Sequence, residues 1–136
     1  MRRIRVETKI ETGILEKSVL SKSECEEFIE IAKKYKLETK NDEVDEKPEL
    51  QLDIISDGGV IEELWEKCKP IYLNKLKPIL ASTPWIEPDQ RIYYVFLRKY
   101  ETAGRTHIPI HKDEGYLTMS FLLSDTKDFE GGEIYI

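Results

Sequence analysis

The chain has 136 residues, a length that fits one domain and is enough to bury a core. Apolar residues make up 40% and charged residues 35%, the balance of a globular rather than a disordered chain. The net charge of −6 weighs against a general binder of nucleic acid or anionic membrane, which needs a basic excess.

No apolar run approaches the ~18 residues of a membrane span, and the charged opening "MRRIRVETKI" is unlike a secretory signal. The default expectation is a reducing, cytoplasmic setting. Cys25 and Cys68 both fall on apolar helical stripes, so they read as buried thiols rather than a disulfide framework or a zinc site.

In chain order, "RIRVETKIETGILEKSVLS" alternates in places around Gly13 and reads as short strands about a turn. "LSKSECEEFIEIAKKYK" predicts a helix. Ser21 is its cap, Glu24 completes a capping box, and Cys25, Phe28, Ile29 and Ala32 form one apolar stripe. "LETKNDEVDEKPE" is acidic and polar and reads as an exposed loop, either a solvated connector or a lid. "ELQLDIIS" reads as a strand.

"DGGVIEELWEKCKPIYLNKLKPIL" predicts a second helix, with Ile61, Leu64, Trp65 and Cys68 on one face. Pro70 should kink or divide it, because proline lacks an N–H and crowds the preceding turn. "ASTPWIEPD" is a proline-marked loop. Beyond residue 90 the texture turns to strand: "QRIYYVFLRKY", "IPIHKD", "GYLTMSFLLSD" and "GGEIYI". The expected class is α+β, with helices on one face of a mainly antiparallel sheet or barrel. Residues 1–89 would form a support region and residues 90–136 the first strands of that sheet.

"HIPIHKDE" contains both histidines of the chain. On a strand, His111 and Asp113 share a face with their Cα atoms roughly 6.5 Å apart, while Lys112 points away. An imidazole and a carboxylate so placed can converge on one ion. Two histidines and a carboxylate with open positions suit non-haem Fe(II) and O2 chemistry. HxD alone arises often by chance.

The ordered set "GILEKSVLSKSECEEFIEIAKKY", "VFLRKY", "HKDEGYLTMSFLLSD" and "DFEGGEIYI" resembles the Fe(II)- and 2-oxoglutarate-dependent dioxygenases, most closely the prolyl 4-hydroxylase and procollagen lysyl hydroxylase group. The resemblance implies N-terminal helices packed on a double-stranded β-helix, or jelly-roll, core. It implies hydroxylation of a prolyl or lysyl residue in a protein or peptide, with Fe(II), 2-oxoglutarate and O2, and ascorbate as reductant. His111 and Asp113 then match the first two iron ligands. Tyr100 matches a tyrosine that helps hold 2-oxoglutarate, and Thr118 a residue of the strand lining the cosubstrate pocket.

Each has a plain structural reading as well. Tyr100 shares strand parity with Ile92, Tyr94 and Phe96 and fits a core face. Thr118, Ser120 and Leu122 share one face, and Met119, Phe121 and Leu123 form the more obvious core face. Arg98, on the Tyr100 face, could meet an anion, but solvent or a surface carboxylate fits it better. Gly131 and Gly132 suit a turn with positive φ.

The family's third ligand is a distal histidine, followed by a Lys or Arg for the far carboxylate of 2-oxoglutarate. Residues 114–136 contain no histidine and no arginine, and Lys127 is their one lysine. His107 and His111 on one extended strand would stand roughly 13 Å apart, too far for one ion. Pro109 opposes the helix that would bring them together. The expectation is therefore a jelly roll incomplete at its C-terminal end, the N-terminal part of a catalytic domain, inactive as this chain alone. A second chain could complete it. The alternatives are a degenerate, non-catalytic interaction module and a jelly-roll site for another ion, such as zinc.

Overall fold

The computed structural model describes residues 18–87 and 90–134. The expected short strands around Gly13, and the last residues of "GGEIYI", lie outside that range.

Helix α1 runs Lys22–Ala32. The Ser21 hydroxyl accepts from the Glu24 N–H at 3.1 Å, and the Glu24 carboxylate accepts from the Ser21 N–H at 2.7 Å. This is the capping box expected from the sequence, and it satisfies two N–H groups that the first turn leaves open. Phe28 and Ala32 are buried, while Cys25 and Ile29 are half-buried.

Four antiparallel strands follow: β1 Glu38–Asn41, β2 Pro48–Ser56, β3 Gly59–Val60 and β4 Val95–Lys99. Strand β2 pairs with all three others. Leu50 and Gln51 face β1 and β4 at once, and Ile55 faces both β3 and β4. So β1 and β3 share one edge of β2, and β4 occupies the other.

The faces of β2 follow from its alternation. Leu50, Leu52 and Ile54 point one way, and Glu49, Gln51 and Asp53 the other. Leu52 and Ile54 join Phe28, Ala32 and Leu64 in one core cluster, flanked by Trp65, Cys68, Val95 and Leu97. Asp53 pairs with Phe96, yet Ile55 pairs with Val95, so Ile54 is an extra residue in the ladder. Such a bulge resets the alternation. It lets Ile55 pack on the core beside Ile54.

Helix α2, Glu62–Ile71, passes into a π-helical turn, Tyr72–Leu76, and then into α3, Lys77–Ala81. Pro70 does not end the helix. Its missing N–H and its ring remove one ladder bond in the turn before it. The widened turn that follows is the form in which helices absorb such a defect. This turn carries Lys75, which binds the Glu24 carboxylate at 2.6 and 2.8 Å and the Val19 carbonyl at 3.0 Å. The start of α1 is thereby tied to the middle of the second helical region.

The later strands differ from expectation. Only Val95–Lys99 of "QRIYYVFLRKY" is strand, because its pairing with β2 begins at Val95. Among the described residues, none from 107 to 134 forms a strand. A strand needs a ladder partner as well as propensity, and these segments have none among the described residues. Ile110 is 93% exposed and Tyr116 68%. Met119 and Phe121 are exposed too, and of their expected core face only Leu123 packs on the central cluster. The fold is thus mixed α and β with one small antiparallel sheet, and a complete jelly roll is not formed by the described residues. No described helix is long and apolar enough to cross a membrane.

Candidate functional site

His111 and Asp113 come together, though not by strand alternation. Pro109 fixes the backbone just ahead of them. His111 Nδ1 lies 2.8 Å from the Pro109 carbonyl oxygen, so Nδ1 carries a hydrogen and donates it. That bond orients the ring and turns Nε2 toward Asp113 Oδ1 at 3.0 Å.

Two chemical states fit this arrangement. With a proton on Nε2 it is an imidazolium–carboxylate pair. Without that proton, Nε2 and Oδ1 offer lone pairs to one cation. Adjacent ligands of an octahedral ion bound at about 2.1 Å stand about 3.0 Å apart. Anchoring the second ring nitrogen on a carbonyl is also the usual support of a metal-bound histidine.

The fit is that of two ligands. Among the described residues no three His, Cys, Asp or Glu side chains are grouped to hold a metal ion. His107 is exposed. Tyr100 follows β4 directly and is 45% exposed, on the parity of Phe96 and Arg98. Thr118 is exposed in an irregular segment. Neither makes a described side-chain hydrogen bond to His111 or Asp113.

The more developed polar structure lies on the β2 face opposite the core. Arg98 sits across from Gln51 in the β2–β4 register. Its Nε and Nη2 donate to Gln51 Oε1 at 3.2 and 2.8 Å. Its Nη1 is 3.1 Å from Asp42 Oδ2, and its Nη2 is 2.7 Å from Glu49 Oε2. The second contact is close but poorly aligned, so Glu49 Oε2 has no hydrogen-bond donor. Arg105 binds Asp45 through two nitrogens, at 2.8 and 3.1 Å. Arg98 is thus paired with buried carboxylates rather than with solvent or a surface carboxylate.

Gln51 joins this cluster to a second one. Its amide donates to Asp53 Oδ1 at 2.7 Å and to the Tyr94 hydroxyl at 2.6 Å. Tyr94 donates to the same Asp53 oxygen at 2.6 Å, and Lys40 Nζ reaches both Asp53 oxygens at 3.0 and 3.2 Å. Burial pushes the Asp53 carboxyl up, but hydrogen bonds from Tyr94, Gln51 and Lys40 outweigh it and hold the group below the usual carboxylate range. Burial and the bond to Asp53 raise the Tyr94 phenol. Phe96 packs between the clusters, 5.0 Å from the Tyr94 ring and 5.1 Å below the Arg98 guanidinium.

Asp42, Asp45 and Glu49 belong to the segment expected to be an exposed acidic loop. The alternation in "ELQLD" was the available signal. It sets Glu49, Gln51 and Asp53 on one face, and Arg98 has the parity to meet them. Comparison with protein-family models, with curated protein sequences and with solved structures finds no match for this chain.

Proposed function

We propose that this chain carries part of the active site of an Fe(II)- and 2-oxoglutarate-dependent dioxygenase acting on a prolyl or lysyl residue of a protein or peptide. The observation that carries this reading is the His111–Asp113 pair, with Nε2 and Oδ1 3.0 Å apart and the ring anchored through Nδ1. That spacing suits adjacent positions on one octahedral ion. When bound, iron with 2-oxoglutarate and O2 supplies the oxidising power to hydroxylate a C–H bond.

In this reading His111 and Asp113 hold the metal. The Pro109 carbonyl holds His111 in the tautomer that leaves Nε2 free to bind. Tyr100 and Thr118 help hold 2-oxoglutarate. The described residues group no third ligand with this pair, and a second chain could supply one together with the cation for the far carboxylate. Held by these two ligands alone, a divalent metal binds weakly and does not turn over.

The first test measures Mn(II) binding by electron paramagnetic resonance. His111→Ala should abolish the site, and unchanged binding in that variant would sink the metal assignment. The second supplies Fe(II), ascorbate, 2-oxoglutarate and prolyl or lysyl peptides to the full-length protein, and measures succinate. Metal binding without succinate would point instead to a scaffold that has lost catalysis.

A further inference from the structure

We propose that the Asp42–Glu49 carboxyl pair is a proton-operated lock, closed when the two share a proton, that fastens the Asp42–Lys47 turn to the segment leading from β4 to His111.

The parts are two stretches of chain and the ion cluster between them. The turn is built on Asp42. Its Oδ1 accepts from the Val44 N–H at 2.7 Å, and its own N–H donates to the Lys47 carbonyl at 2.9 Å. The other stretch is residues 101–105, closed on itself by the Glu101 N–H to the Arg105 carbonyl at 3.1 Å and the Gly104 N–H to the Glu101 carbonyl at 3.0 Å. Among the described residues, Arg105 spans the gap. It grips Asp45 and reaches the Lys47 carbonyl at 3.3 Å, and its Nη2 stands 3.9 Å from Asp42 Oδ2.

The groups facing the pair are Asp45 and the Val44 N–H from the turn, Gln51 from β2, Arg98 from β4 and Arg105 from the loop. The side chains of Asp42, Glu49 and Arg105 are all at least nine-tenths buried. With one proton on Glu49, donated to Asp42, the charges balance: Arg98 and Arg105 against Asp42 and Asp45. Removing that proton leaves one unmatched negative charge in a dry place. Part of it falls on Glu49 Oε2, which has no donor. Charge left so is costly, and relief comes by opening the cluster to water.

The direction with pH follows from the pair. Burial and the hydrogen bond to Asp42 raise the Glu49 carboxyl above its ordinary 4.5. Burial pushes Asp42 up as well, but the bond from Glu49, the Val44 N–H and the two arginines outweigh it and hold Asp42 below its ordinary 3.8. Glu49 therefore holds the lock fully below its ordinary value and loses it as pH rises through the raised one. Asp42 loses its share only as pH falls through the lowered value. The lock is closed between these limits and opens toward alkaline pH. It stands on the ion cluster alone, whatever the His111–Asp113 pair binds.

Amide hydrogen exchange tests this in a series from acid to alkaline pH, the direction in which the raised Glu49 carboxyl loses its proton. After correction for intrinsic exchange, the amides of residues 42–47 and 101–105 should open several-fold more often at the higher pH. Glu49→Gln keeps a donor to Asp42 but has no proton to lose, so it should stay closed throughout. Opening independent of pH in the native chain overturns the proposal, and so does the same pH dependence in Glu49→Gln. If that variant does not fold, the Glu49 side-chain carboxyl carbon is followed by NMR in the native chain. A carboxylate ionised across the whole range refutes the lock, and protonation at its lower end supports it.

Discussion

Arg98 is the centre of the buried cluster, and replacing it by Met tests whether the cluster stabilises the fold. Met keeps the apolar stem over Phe96 and removes the guanidinium, with its contacts to Gln51, Asp42 and Glu49. Removing one partner of a buried ion pair costs about 3–5 kcal/mol. Arg98 keeps 19% of its side chain in solvent, against 4% for Asp42 and 3% for Glu49, so the lower end applies, about 3 kcal/mol. At this chain length that corresponds to a melting point lower by about 10 °C.

Guanidinium chloride unfolding followed by tryptophan fluorescence reads the change, since Trp65 packs on the core. The deficit should grow from acid toward alkaline pH. Without Arg98 the two carboxylates bind protons more tightly when folded, and stability from a raised carboxyl is lost as pH rises. Adding Asp42→Asn restores the charge balance around Arg105 and should recover most of the loss. A loss below about 1 kcal/mol, the scale of a solvated surface pair, or no recovery in the double variant, refutes the reasoning.

Three further outcomes follow from the fold. Leu64 is 0% exposed at the contact of α2 with the sheet, so Leu64→Ala should destabilise by about 2–5 kcal/mol in the same unfolding assay. Burial pushes the Cys68 thiol up to about 11 and raises Cys25 less, so a thiol reagent at neutral pH should label Cys25 well before Cys68. Equal labelling rates would contradict that burial order. Ser21→Ala removes the cap acceptor of α1 and should cost about 1 kcal/mol, while Ser21→Asp should cost little.

The parts of the fold legible in the sequence are those that local physics decides. The α1 capping box needs only residues three apart, and the Leu64 face needs only helical period. Strand β2 was legible from its alternation, and so was the direction of its two faces. What the polar face does depends on pairing between residues far apart in sequence. Arg98 meets Asp42 and Glu49 only because β4 docks against β2 in one register, and no local pattern gives that register. The acidic segment looked like a solvated loop because its composition is polar. Burial there is set by pairing with two arginines 49 to 63 residues away.

The His111 and Asp113 side chains meet by a geometry other than the strand expected from the sequence. Strand alternation puts residues two apart on one face, and that argument united the two side chains. Described residues 107–134 form no strand, and a carbonyl at Pro109 orients the imidazole instead. A strand would hold both side chains through its ladder, whereas here one hydrogen bond and a proline hold one of them. The pair should therefore be less rigid than the buried cluster next to it in sequence, whose Arg105 binds Asp45 through both terminal nitrogens. Arg105 anchors the start of the segment that reaches His111. Among the described residues, Arg105 ties the acidic turn to the stretch of chain that leads to the candidate metal ligands.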